Sequence, residues 1–228
     1  MKEANAVEAI QTVMEYCSSH YGIPSFSSLD SLKLIQGRVA GGGYAVSGAS
    51  LVDEQDFTTQ NLHNSEKGGI PGEVMIHEMV HQWWGLGTMF DVSQPDSAWS
   101  AEGLTVYTTY RIIKELYGEA YAKEHYIDQW QTAVDDYYNN FYIRNPQYLE
   151  ALPEEKRLDI SNQLSNMRYY NEMPLKILKA EELLGGEEPM DLILYQLFNR
   201  DVDPMYPYLT EQEFLDACKL TEEDLNLD

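Results

Sequence analysis

The stretch Val74-Met75-Ile76-His77-Glu78-Met79-Val80-His81-Gln82-Trp83-Trp84-Gly85 limits what this chain can become more than any other. It contains His-Glu-x-x-His. An α-helix advances about 3.6 residues per turn, so residues i and i+4 share a face. His77 and His81 therefore point the same way, and their imidazole nitrogens can meet at one zinc ion. Glu78 lies beside that face, within reach of a water on the metal rather than of the metal itself. Histidines at this spacing also occur on ordinary exposed helices. Here the flanks are apolar (Val74, Met75, Ile76, Met79, Val80, Trp83, Trp84), which predicts a buried helix. Buried imidazoles and a buried carboxylate need partners, because polar groups left unpaired out of water are costly. A metal satisfies all three.

Zinc in a catalytic site usually takes three protein ligands and leaves one position open. Glu102, in Trp99-Ser100-Ala101-Glu102-Gly103, is the natural third, 21 positions after His81. That interval holds a helix end, a loop and the start of a second helix packed against the first. Alone, Glu102 would read as a first-turn acid stabilised by the helix dipole.

The rest of the chain is read around this pair. At 228 residues it fits one domain with a real core. A helix is expected over residues 5–21, capped by Asn5, with Val7, Ile10, Met14, Cys17 and Tyr21 on one face. Residues 25–30 read as loop. Short strands follow at 32–35, 44–46 and up to 51–52. Gly41-Gly42-Gly43 lies between them: either a backbone that something approaches closely, or a flexible hairpin turn. Residues 53–69 read as polar loop, holding at most a short helix near 58–63. Pro71 opens the metal-site helix, which Gly85 and Gly87 end. Ser100 caps a second helix over 99–117. Tyrosine-rich helix follows over 119–143, then an irregular stretch at 157–168. Further helices are expected at 170–184, at 189–199 and after the capping box Thr210-Glu211-Gln212-Glu213, with a last short turn at 221–225.

The 15 Lys and Arg stand against 38 Asp and Glu, a net charge of -23, which repels nucleic acid phosphates and anionic lipid. Cys17 and Cys218 match no metal or redox spacing and read as buried free thiols, with a disulfide as the alternative. No apolar run reaches the length of a membrane span. Met1-Lys2-Glu3-Ala4-Asn5 does not read as a signal peptide, which leaves a cytoplasmic location or a soluble piece of a longer, membrane-associated chain.

His77-Glu78-x-x-His81-Gln82-Trp83-Trp84-Gly85 followed by Trp99-x-x-Glu102-Gly103 resembles the zinc site of the gluzincin metallopeptidases of aminopeptidase N type, a group that includes the leukotriene hydrolase branch. Tyr21-Gly22-Ile23-Pro24 is similar to the segment before that family's substrate strand. Tyr170, 15 residues before Gly185, sits where the family has its catalytic tyrosine, with Tyr169 as its neighbouring rival. The resemblance covers nearly the whole chain. It implies an α+β, predominantly α fold: a thermolysin-like catalytic domain with a small N-terminal sheet and a C-terminal helical lobe, dividing near residue 118. It further implies zinc as cofactor and a peptide as substrate.

Four departures stand out. The interval from His81 to Glu102 is two residues longer than the family's, which fits an insertion around 92–97. The family's Gly-Ala-Met-Glu-Asn strand corresponds to Gly42-Gly43-Tyr44-Ala45-Val46, so Ala45 replaces the glutamate that holds the substrate amine. Asn171-Glu172-Met173 follows the tyrosine in place of Glu-Lys-Gly. The family's N-terminal β-domain has no counterpart here. The implied chemistry is metal-assisted hydrolysis: Glu78 as general base, zinc and Tyr170 at the oxyanion, and Gly42, Gly43, Tyr44 and Ala45 lining an extended peptide. The substrate's N-terminus would be recognised in an altered way. The rival expectation is a zinc-bearing peptide-binding module of a larger membrane-associated protein.

Overall fold

The computed structural model describes residues 2–24, 32–40, 42–57, 73–91, 93 and 97–227, with residues 2–5 and 97 by backbone alone. Helix α1 (Lys2–Tyr21) begins earlier than expected, so Asn5 lies inside it rather than at its cap. Its buried stripe runs through Ala6, Val13, Cys17 and Tyr21, with Ile10 and Met14 half-buried. Val7, expected on that face, is 50% exposed. It sits about 100° further round the helix than Ala6.

Three strands follow: β1 (Lys33–Gly37), β2 (Gly43–Val46) and β3 (Ala49–Asp53). Their order is β1-β3-β2, with β3 parallel to β1 and antiparallel to β2. The β2–β3 hairpin closes at Val46 opposite Ala49. β2 is thus an edge strand. Beneath the sheet, Val52 packs with Met75 of helix α2 (Glu73–Val80) and with Ala6 of α1. Gly41, Pro71, residues 25–30 and 58–63, and most of 92–97 lie outside the described residues.

Helix α2 ends at Val80, before the glycines expected to stop it. The His81 N–H still bonds the His77 carbonyl at 3.2 Å, then Gln82 and Trp83 tighten onto the carbonyls of Met79 and Val80. Short strands β4 (Trp84–Gly85) and β5 (Thr88–Met89) follow. The turn is pinned by two fully buried indoles: Trp83 Nε1 donates to the Gly22 carbonyl at 2.7 Å, and Trp84 Nε1 donates to Thr108 Oγ1 at 2.9 Å. A 3₁₀ turn, Ser97–Ser100, leads to α3 (Glu102–Tyr117). Ala101, not Ser100, holds the cap position of α3, and no side chain caps it.

The second half is helical: α4 (residues 119–139), α5 (Phe141–Arg144), α6 (Pro146–Glu150), α7 (residues 154–184), α8 (Glu187–Phe198) and α9 (Glu211–Cys218). The expected helix over 119–143 therefore breaks at Asn140, whose side chain caps α5. Residues 157–168 are not irregular but belong to α7. Only Leu164 is buried in the segment Glu154–Met167, so no apolar stripe marks it as a helix. The Thr210–Glu213 capping box is present, and Glu223–Leu225 forms the last turn. Cys17 and Cys218 are both free and buried. No helix among the described residues is long and apolar enough to cross a membrane.

Buried charge ties the helices together. Arg111 of α3, 4% exposed, meets Glu181 of α7 at 3.0 Å and Asp191 of α8 at 3.1 Å. Two π turns interrupt the long helices, Lys123–Ile127 in α4 and Arg168–Glu172 in α7. The second is anchored by Glu172, 2% exposed, which binds Arg168 at 2.7 Å, Lys176 at 3.3 Å and the Tyr138 hydroxyl of α4 at 2.8 Å. Burial pushes the Glu172 carboxyl up, but these partners outweigh it and hold it below the usual range. A carboxyl depressed on folding stabilises above its unfolded pKa, and that gain is lost as pH falls through the folded value. Glu172→Gln should therefore cost about 1–3 kcal/mol at pH 7. In urea titrations the gap between variant and parent should close as the pH falls below 4.5, the ordinary glutamate value.

Candidate active site

Helix α2, the turn that follows it and α3 bring three donors to one point. His77 Nε2 lies 3.1 Å from His81 Nε2 and 3.3 Å from Glu102 Oε2. His81 Nε2 is 3.5 Å from the same oxygen. Among the described residues this is the one group of His, Cys, Asp and Glu whose ligand atoms converge in this way. The His81 ring is fixed from behind: its Nδ1 is 3.1 Å from the Trp84 carbonyl and 3.1 Å from Thr105 Oγ1. The carbonyl can only accept, so Nδ1 carries the proton and the Nε2 lone pair faces the cluster.

The electrostatics suit a metal. Burial lowers His77 and favours its neutral, ligating form. Burial pushes His81 down too, but Glu102 outweighs it and raises the ring. Burial alone would raise Glu102; His77 and His81 outweigh it and hold the carboxyl well below the usual range. Glu102 Oε2 and Glu78 Oε2 are both buried without a hydrogen-bond partner. An orphaned, buried carboxylate oxygen facing two imidazoles is what a divalent cation would satisfy. Glu78 does not join the three-donor cluster. Burial pushes it up to about 7.

Tyr170 comes from the π turn of α7. Its ring centroid lies 6.2 Å from that of His77, and its hydroxyl stands beside Glu102. Burial first, and then Glu102, raise the phenol, so it stays protonated. Tyr169, its neighbour, lines neither cavity described below.

Gly43 touches Glu78 so closely that a Cβ there would overlap the glutamate side chain. Of the two readings of the glycine run, the close approach is the one seen at Gly43. Gly42 adopts φ 99°, a conformation glycine takes without strain. Two cavities meet at the cluster, of about 430 and about 320 Å³, and both reach Gly43, His77, Glu78 and Tyr170. The larger extends to Glu73, Tyr126, Gln129 and Trp130. The smaller extends to Tyr44, Ala45, Leu86 and Phe90.

One residue next to the second histidine has a role that local sequence does not announce. Gln82, fully buried, accepts from the Gly48 N–H at 2.8 Å and donates to the Val46 carbonyl at 3.0 Å. Ser50 Oγ donates to the Glu78 carbonyl at 2.7 Å. Together they clip the β2–β3 hairpin to the metal-site helix. Replacing Gln82 by Leu leaves the buried Gly48 N–H and the partly buried Val46 carbonyl without this partner, a loss of about 1–3 kcal/mol. Urea unfolding should show that loss, and limited proteolysis should cut first near the hairpin.

Residues 5–174 match the model of the peptidase family M1 domain. Leucine aminopeptidase 2 of Emericella nidulans is 26% identical over 142 residues, 62% of this chain and 22% of that protein. Leukotriene A-4 hydrolase of Xenopus laevis is 30% identical over 115 residues, 50% of this chain and 18% of that protein. The chain thus spans about a fifth of the length of these curated relatives. Among solved structures, an M1 zinc metallopeptidase from Deinococcus radiodurans superimposes with a TM-score of 0.55 at 16% identity, covering 98% of this chain and 42% of that one. With a family match over most of its length, and His77, His81 and Glu102 converging within that match, the chain belongs to peptidase family M1.

Proposed function

We propose that this chain carries a zinc-dependent site for peptide hydrolysis, aminopeptidase-like, with altered recognition of the substrate's N-terminus. The observation that carries the reading is the convergence of His77, His81 and Glu102 beside Glu78. Two imidazoles and one carboxylate, whose buried Oε2 has no hydrogen-bond partner, fit zinc with an open position. When bound there, zinc supplies Lewis acidity, lowering the pKa of water towards neutrality and polarising the scissile carbonyl.

The chain's own residues do the rest. Glu78, raised to about 7, is matched to taking a proton from the attacking water near neutral pH and returning it to the leaving amine. Tyr170, held protonated, donates its hydroxyl to the oxyanion. The edge of β2, unpaired among the described residues, accepts an extended peptide as an added strand, with Gly42, Gly43, Tyr44 and Ala45 along it. Gly43 keeps that strand close enough to Glu78 to present a backbone to it. Ala45 lines the smaller cavity without a charge, and Glu78 and Glu102 are the only acids in its lining among the described residues. The usual amine anchor is therefore missing from β2.

The metal-free chain should take up one zinc, with an upward shift of its melting temperature that Glu102→Ala abolishes. Glu78→Gln should keep the zinc, measured by atomic absorption, yet lose hydrolysis by about 10²–10⁴-fold. Tyr170→Phe should lower kcat by about 10²–10³-fold. Unchanged peptide turnover in Glu78→Gln would sink this mechanism. Matched peptides with free and acetylated N-termini, separated by mass spectrometry, read the mode of attack: loss of turnover on acetylation is expected, and equal cleavage of both sets overturns the aminopeptidase-like part.

A further inference from the structure

Helix α2 carries a third polar group on its metal-facing side. Glu73 is one turn before His77, at the i−4 position, on the wall of the larger cavity. Among the described residues no lysine or arginine acts on it. The groups that act on it are the Tyr126 hydroxyl and, at longer range, Asp56. No lysine or arginine lines the cavity among the described residues. Burial lifts the Glu73 carboxyl to about 7, as it does for an acid without a counter-charge.

A second observation points into the same space. Tyr126 is 2% exposed, and its hydroxyl has no hydrogen-bond partner of standard geometry although it lies in the cavity wall beside Glu73. The neighbouring Tyr121 hydroxyl is likewise buried and unpartnered, and feels the Glu73 charge. The π turn of α4 turns Tyr126 and His125 to this wall, and Gln129 follows one position into the next helical segment. Val74, Val106 and Trp130 supply apolar sides. A carboxylate, a phenol oxygen beside it and an amide around an apolar shaft match a long cationic side chain, with its methylenes on the walls and its charge at the end.

Antiparallel pairing, slightly the more stable of the two, sets which residue enters. β2 runs from Gly43, on the wall of both cavities, to Ala45, on the wall of the smaller one alone. A peptide antiparallel to β2 has its N-terminal side at Ala45 and its leaving side towards Gly43 and the larger cavity. On the reading of the site given above, we propose that Glu73, with Tyr126 and Gln129, forms a pocket for a lysine or arginine side chain on the residue just after the scissile bond.

The test uses the zinc-loaded chain and peptides that differ only at that residue: lysine, norleucine or glutamate. Binding is measured by calorimetry on Glu78→Gln, and cleavage by mass spectrometry on the parent. Lysine should bind roughly tenfold or more tighter than norleucine, and glutamate weakest. Glu73→Gln, made in both backgrounds and checked for zinc content and melting temperature, should erase the lysine advantage, so that lysine and norleucine peptides are bound and cut alike. A Glu73-dependent preference in binding with no cleavage of any peptide would uphold the pocket and overturn the hydrolytic reading. Cleavage indifferent to lysine would overturn the pocket and uphold the hydrolysis. A lysine preference that survives Glu73→Gln would also overturn the pocket, since it would come from the acidic surface at large.

Discussion

Two imidazole nitrogens and a carboxylate oxygen held within 3.5 Å of one another form an arrangement that a fold must enforce. Each group gives up water, and without a cation at the centre each has only the others to face. The enforcement is visible in every direction. Helical spacing fixes His77 over His81. The Trp84 carbonyl and Thr105 hold the His81 ring, and α3 delivers Glu102 in its first turn. Buried Trp83 and Trp84 pin the turn that follows the metal-site helix, so the site is anchored at its exit as well as along its face.

Close backbone approach sets the remaining distances. Gly43 lets the edge strand touch Glu78, and the Gln82 and Ser50 hydrogen bonds keep it there. Gly103 does the same on the other side: a Cβ there would come within 2.9 Å of Met173 Cβ, so α7 packs directly on α3. That contact, together with the Glu172 cluster, presents Tyr170 to the donors. Both π turns of the described chain open towards the larger cavity, one through Tyr126 and the other through Tyr170 and Asn171. A π turn adds a residue to the helical repeat and swings side chains out of α register, a device common at functional sites.

The metal-site residues were legible because their chemistry needs fixed types at a fixed spacing, His-Glu-x-x-His, with a glutamate at the start of a following helix. Tyr170 depended on resemblance, since Tyr169 and Tyr170 differ only in direction round the helix. Gln82 was quoted within the motif, but its role was hidden, because its partners at Gly48 and Val46 are more than thirty positions away. Glu73 carried no local signal either: an acid in the first turn of a helix reads as a dipole partner until the cavity beside it is seen. Of the apolar stripe Val7, Ile10, Met14, Cys17 and Tyr21, only Val7 leaves the packed face, with Ala6 buried beside it; residues 157–168 read as irregular because an exposed helix has little apolar period to detect.

The sequence alone specified the three donors that converge, His77, His81 and Glu102, the helical character of most of the chain and the small strand-bearing part before it. Those follow from local rules, namely residue type, helical period and turn chemistry. Tertiary structure decided which tyrosine stands near the donors and how the hairpin is clipped to α2. It also decided where the two long helices take a π turn and what surrounds Glu73. Each of these depends on groups far apart in the chain meeting where water is excluded, and local patterning does not specify such meetings.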